Sequence, residues 1–194
     1  MSVDRVEVYT VTKVVYEKNQ IPQEPRDLGV TSLDQIPQEL RDLGVTSWEE
    51  NRIIDWDRRD LTSLPESIGN LTNLQIIELK GCNLTSLPES IGNLTKLELL
   101  HLERNNLTRL PESFGNLTNL KKVWLDSNKL TSLPESIGNL RNLEILWLEY
   151  NKLKYLPESI YNLRKLKALN VKYNRNLCDC PKNVENLKNC YILT

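Results

Sequence analysis

From Leu74 onward the apolar and polar positions follow one template, Leu-x-x-Leu-x-Leu-x-x-Asn-x-Leu. It runs Leu74, Ile77, Leu79, Cys82 and Leu84, then Leu97, Leu100, Leu102, Asn105 and Leu107, then Leu120, Val123, Leu125, Asn128 and Leu130. Two further copies read Leu143, Leu146, Leu148, Asn151, Leu153 and Leu166, Leu169, Val171, Asn174, Leu177. Prolines punctuate the copies at 65, 88, 111, 134 and 157, each 23 residues after the last, and Pro181 follows after 24. Neither a period of 3.6 nor a period of 2 covers the whole unit, so the chain repeats neither a helix nor a hairpin. Within a unit the Leu-x-Leu alternation predicts a short strand with one face inward, and the following Asn is placed to hydrogen-bond the backbone of neighbouring coils from inside the turn. Cys82, a weak donor, takes that ladder position once. The Ser63-Leu-Pro-Glu66 segment and its copies predict a helical turn entered at proline, with a Ser-x-x-Glu capping box in three of five copies. Gly69, Gly92, Gly115 and Gly138 are then expected to stop it. One coil cannot bury both its strand and its helical face; stacked coils bury them against each other.

The stretch "LTSLPESIGNLTNL" resembles the 23-residue leucine-rich repeats of intracellular Ras-associated scaffold proteins, their plant relatives and many bacterial repeat proteins. The likeness covers roughly residues 51–194. It implies an α/β fold, a curved leucine-rich-repeat solenoid with a parallel β-sheet on the concave side and short helical turns on the convex side. It also implies binding of other proteins, no cofactor and no catalytic residue. Both ends depart from the frame. The first strand keeps Ile54, Trp56 and Leu61 but carries Arg59 where the ladder should begin; Asn176 reads as an insertion, and Cys190–Leu193 as a truncated last strand after about six full ones.

Residues 1–50 read as an N-terminal capping segment. They hold a second repetition: "QIPQEPRDLGVTSLD" at 20–34 returns as "QIPQELRDLGVTSWE" at 35–49. Each copy predicts a short helix entered at proline and stopped at Gly29 or Gly44. A docking element is the alternative use of the pair. Residues 3–16, rich in β-branched side chains, predict a strand or hairpin.

Function is expected where the copies disagree. Side chains between and beside the inward leucines point onto the concave sheet. Reading across the stack, the column between the strand leucines holds Asp55, Glu78, His101, Trp124, Trp147 and Asn170. Beside it run Ile53, Ile76, Leu99, Lys122, Ile145 and Ala168. Two columns further on hold Asp57, Lys80, Glu103, Asp126, Glu149, Lys172 and Arg58, Gly81, Arg104, Ser127, Tyr150, Tyr173. With parallel strands about 4.8 Å apart, Trp124 and Trp147 should be neighbours, with Leu99, Ile145, Tyr150 and Tyr173 about them. The expectation is an exposed aromatic patch with an acidic rim of Glu103, Asp126 and Glu149, and with Glu78, His101 and Arg104 alongside. Trp and Tyr concentrate at the energetic centres of interfaces, so the patch predicts a protein partner. Aromatic rings that merely shield the sheet are the structural alternative. A second copy of the chain, pairing through the patch or through the open strand at Cys190–Leu193 as a homodimer or larger homo-oligomer, is the other candidate occupant.

Composition changes this picture little. The chain is 39% hydrophobic and 26% charged with a formal charge of −1, which points away from nucleic acid. Residues 1–60 carry 8 Lys/Arg against 13 Asp/Glu, and the remainder 17 against 13. No apolar run is long enough to span a membrane. Charges at Asp4, Arg5 and Glu7 sit where a signal peptide needs an apolar stretch, so a cytoplasmic protein is expected unless a leader has been removed, with a secreted or surface form as the alternative. Five Asn-Leu-Thr sequons, at Asn70, Asn83, Asn93, Asn106 and Asn116, read as one coincidence copied by the repeat. His101 is the only histidine, without a second His for metal, a nucleophile elbow or a phosphate loop, so a contact residue rather than a general base is expected. By period Cys180 and Cys190 replace core leucines and read as buried thiols, with a Cys180–Cys190 disulfide as the alternative in an exported protein; three cysteines without a nearby histidine make a poor zinc site.

Overall fold

A computed structural model describes residues 36–45, 52–177 and 190–193. All of them belong to one compact unit spanning 31–194. The strand or hairpin expected at 3–16, the first copy of the duplication at 20–34, and Cys178 and Cys180 lie outside the described residues.

Seven short strands form one sheet in chain order: β1 Ile53–Asp55, β2 Ile76–Glu78, β3 Leu99–His101, β4 Lys122–Trp124, β5 Ile145–Trp147, β6 Ala168–Asn170 and β7 Tyr191–Leu193. All neighbours are parallel. The register follows the sequence period: Leu100 faces Val123, Val123 faces Leu146, and Leu146 faces Leu169. These central residues are buried, as are the leucines on either side of them, because the alternation sends every second side chain inward. Each such burial stabilises by about 1.5–3 kcal/mol, and no single coil could achieve it without its neighbours.

The return leg of each coil carries a turn of 3₁₀ helix: Glu66–Asn70, Glu89–Asn93, Glu112–Asn116, Glu135–Asn139 and Glu158–Asn162. Proline precedes each one in an extended conformation, and its carbonyl accepts the first turn bond, as in Ile68 N–H to Pro65 O at 3.0 Å. Two expectations fail here. The capping box does not form, since the proline stands at the cap and no side chain caps the turn. The glutamate points to the next coil instead: Glu66 Oε2 accepts Ser90 N–H at 3.2 Å and Glu89 Oε2 accepts Ser113 N–H at 3.3 Å. The glycines do not stop the turns either, because each lies inside its turn. A Cβ on Gly69 would sit 2.6 Å from Ser90 O, and one on Gly92 would sit 2.5 Å from Ser113 O. Glycine is required there by the close approach of successive coils, not by a left-handed backbone.

The ladder is formed as expected. Asn128 Nδ2 donates to Leu102 O at 2.8 Å and to Leu125 O at 3.1 Å, while its Oδ1 accepts Leu107 N–H at 3.0 Å. Asn105, Asn151 and Asn174 repeat the pattern, each buried. Cys82 sustains one of these bonds with its thiol, Sγ to Trp56 O at 2.9 Å. Burial pushes that thiol up from its ordinary value.

At the N-terminal end Trp56 is buried under the first coil, and a helix at Gln38–Asp42 packs on the same core through Ile36, Leu40 and Val45. Pro37 precedes this helix and Gly44, at φ +91°, follows it, as the duplication predicts for its second copy. Ser67 Oγ donates to Glu39 Oε1 at 2.8 Å, and Arg59 Nη1 donates to Leu43 O at 3.3 Å. Arg59, standing where the ladder Asn is absent, therefore ties the first coil to this helix.

Candidate functional site: the outward face of the sheet

Parallel register brings His101, Trp124, Trp147 and Asn170 into one row across β3 to β6. Leu99, Lys122, Ile145 and Ala168 form the row beside it, half-buried. The sheet does bring the expected residues together, with two differences. Trp124 lies flat on His101, ring centroids 4.0 Å apart and planes within 10°. Trp124 and Trp147 are both half-buried, so the centre of the patch is less exposed than the sequence suggests. The register gives Trp124 two neighbours of equal rank, His101 and Trp147, and the indole lies on the imidazole. Exposure instead peaks at Tyr150 and Tyr173, 54% and 59% accessible, which stack on each other at 4.4 Å.

These tyrosines occupy an expected column whose backbone conformation the sequence does not mark. Arg58, Gly81, Arg104, Ser127, Tyr150 and Tyr173 all take positive φ, between 54° and 66°. Each coil turns in the left-handed region just after its strand, a conformation that glycine or asparagine adopts with least strain. Only Gly81 meets that preference.

The acidic rim is more tightly held than free surface carboxylates would be. Asp126 Oδ1 accepts Glu149 N–H at 3.0 Å, and Glu149 Oε2 accepts from Asn170 Nδ2 at 2.9 Å. Burial, with Glu149 and Glu103 adding to it, pushes the Asp126 carboxyl up to about 7. Burial would raise Glu103 too, but His101 Nδ1 at 3.4 Å, a backbone hydrogen bond and Lys80 Nζ at 3.5 Å hold it below its ordinary range. Arg104 projects outward, exposed. Further toward β1, Asp55, Asp57 and Glu78 bring one carboxylate oxygen each within 4.8 Å of the others. Burial, then crowding by the two aspartates against the relief His101 gives, raises Glu78. Exposed carboxylates often gather in this way without an ion, and Asp57 Oδ1 already accepts Lys80 N–H at 2.7 Å.

One feature escaped sequence reasoning. Beside the exposed rings lies a groove lined by Tyr150, Asn151, Lys152, Tyr173, Arg175 and Asn176. Its signal was present, as Tyr-Asn-Lys at 150–152 and Tyr-Asn-Arg at 173–175, one ladder Asn in each.

The described helices include none long and apolar enough to cross a membrane. The chain belongs to the leucine-rich repeat proteins: the leucine-rich repeat region family matches residues 40–132 and 123–193. Among solved structures it is similar to a leucine-rich repeat protein of Leptospira interrogans, at 34% identity over 79% of this chain and 45% of that one, with a TM-score of 0.65. It is also similar to a TDR receptor, at 33% identity over 68% of this chain and 23% of that one, TM-score 0.58. A third likeness is to the complex of Toll with Spatzle from Drosophila, at 32% identity over 62% of this chain and 16% of that one, TM-score 0.56. This chain thus spans less than half the length of each. None of the curated proteins matches it. Proteins of this family are typically non-enzymatic, and their fold is generally a scaffold for protein–protein interaction.

Proposed function

We propose that the chain is a protein-recognition module that binds a protein partner through the outward, concave face of its sheet. The observation that carries this reading is the aromatic row His101–Trp124–Trp147, extended by Leu99 and Ile145 and flanked by Tyr150 and Tyr173. Large rings already packed against one another present contact area with little rotamer freedom left to lose, which is what makes aromatic side chains effective at the centre of an interface. Glu103, Asp126, Glu149, Glu78 and Arg104 border this row and would govern orientation and encounter rate more than affinity.

The test compares the wild type with Trp124→Ala/Trp147→Ala as baits in an extract of the source cells. A protein retained stoichiometrically by the wild type and lost by the variant, with both baits folded by circular dichroism, supports the reading. Retention unchanged by the double substitution rejects the sheet face as the binding surface.

The second reading is self-assembly. It is favoured by β7, which pairs with β6 alone among the described residues and so stands at the end of the sheet order.

A further inference from the structure

The groove beside Tyr150 and Tyr173 has a chemistry of its own. It is an open surface depression of about 490 Å³. The left-handed backbone there is imposed by the coil, since every coil adopts it. Coils five and six are distinctive in placing tyrosine at this position and a cation two residues later, in Tyr150-Asn151-Lys152 and again in Tyr173-Asn174-Arg175. The intervening Asn151 and Asn174 are buried in the ladder, which anchors both motifs to the core. Successive coils repeat the spacing of their strands, so two rings stack and two cations line the same groove.

Lys152 and Arg175 are exposed, and neither has an ion pair among the described residues. Two lysines elsewhere on the array are matched by carboxylates across coils: Lys121 meets Glu98 at 2.7 Å and Lys167 meets Glu144 at 2.8 Å. Stacking aligns cations elsewhere as well, Arg141 with Arg164 and Lys129 with Lys152, but only the groove sets aligned cations beside stacked exposed rings among the described residues. The half of the array that carries the groove is also the more basic one: residues 118–177 hold 11 Lys/Arg against 5 Asp/Glu, whereas residues 52–117 hold 7 against 9. Like charges held side by side favour an anionic occupant, and the adjacent exposed rings favour one that also carries apolar or aromatic surface.

We propose that this groove receives an acidic segment of a protein partner, with carboxylates against Lys152 and Arg175 and a ring or aliphatic side chain against Tyr150 and Tyr173. This rests on the reading that the chain binds protein, and it names the chemistry of part of that partner. A nucleic-acid strand fits less well: the same column continues to Lys129 one coil earlier, but Glu149 and Asp126 stand beside it and would oppose a phosphate backbone.

The test is fluorescence anisotropy of the full chain with labelled probes: a short peptide of alternating Glu and Tyr, matched Gln/Tyr and Lys/Tyr peptides, and a thymidine oligonucleotide. The Glu/Tyr peptide should bind about tenfold more tightly than the Gln/Tyr peptide, with an affinity that falls as salt rises. Lys152→Glu/Arg175→Glu should abolish that preference. Tyr150→Ser/Tyr173→Ser should weaken binding and leave its salt dependence in place. All four residues are exposed, and unchanged melting curves establish that the variants fold. Equal binding of the Glu and Lys peptides, preference for the oligonucleotide, absence of binding to any peptide, or indifference to Lys152→Glu/Arg175→Glu would each overturn the proposal. Failure here with the partner still lost from Trp124→Ala/Trp147→Ala leaves the sheet-face reading standing, so the two fail separately.

Discussion

At the scale of single residues, the interior of the coil decides more than its surface. Asn128 joins coils three and four through side-chain hydrogen bonds to Leu102 O, Leu125 O and Leu107 N–H. Asn128→Ala takes the partner from buried Leu107 N–H, while Leu102 O keeps Asn105 Nδ2 and Leu125 O keeps Asn151 Nδ2, and it should cost about 1–3 kcal/mol in urea unfolding, more than substitution of an exposed asparagine such as Asn93. Gly92→Ala reverses a familiar sign. Alanine normally stabilises a helical position by up to about 1 kcal/mol relative to glycine, but a Cβ here would lie 2.5 Å from Ser113 O, so the melting temperature should fall. Asp126 supplies a pH dependence. Its folded carboxyl titrates at about 7, above the ordinary aspartate value, with Glu149 and Glu103 facing it. The folded state therefore holds that proton more tightly, and its contribution to stability, complete below about pH 4, is lost as pH rises through 7. Glu103, held below its ordinary range, acts oppositely, and only at more acidic pH. Asp126→Asn keeps an acceptor for Glu149 N–H and removes the charge. It should be more stable than wild type by on the order of 1–3 kcal/mol at pH 8, with the difference shrinking toward pH 5 in denaturant titrations.

At the scale of elements, the parts legible in the sequence were those tied to the repeat itself. Spacing alone located the strands, because Leu100, Val123, Leu146 and Leu169 fall in register once the 23-residue period is seen. What the coil does between strands was harder to read. Ser-x-x-Glu looks the same whether the glutamate caps its own turn or reaches the next coil, and the distance between coils, which decides it, is a property of the stack. The same distance hid the purpose of the glycines. The left-handed column was invisible because Arg104, Ser127 and Tyr150 are not residues that announce it. Register also left open whether Trp124 would lie on His101 or Trp147, since ring packing depends on rotamers and not on pairing. The duplicated element offers a sharper test. Its second copy places Leu40, wholly buried, where the first has Pro25. Proline at 40 would remove the Leu40 N–H bond to Pro37 O and the side chain that fills the core, and would push Glu39 away from a helical conformation. A capping role for residues 1–50 predicts that Leu40→Pro lowers the stability of the whole array by about 3 kcal/mol or more, seen as a shift of the entire unfolding transition; loss of the helix alone, with the array's transition unmoved, contradicts it.

At the scale of the molecule, a stack of near-identical coils turns small differences between copies into spatial pattern. Among the described residues five turns and seven strands repeat one frame, and on that frame the sheet carries carboxylates toward β1, an aromatic row across β3 to β5, and exposed tyrosines with exposed cations beside β5 and β6. The frame belongs to the family; the pattern belongs to this chain. A sheet face kept for a different protein must stay open when the chain is alone. The most direct measurement is light-scattering mass over a wide concentration range, for the wild type and for Trp124→Ala/Trp147→Ala. The recognition module described here predicts a concentration-independent mass near 22.5 kDa for both. A dimer that the double substitution converts to monomer would contradict it, because the aromatic row would then be occupied by a second copy of the chain.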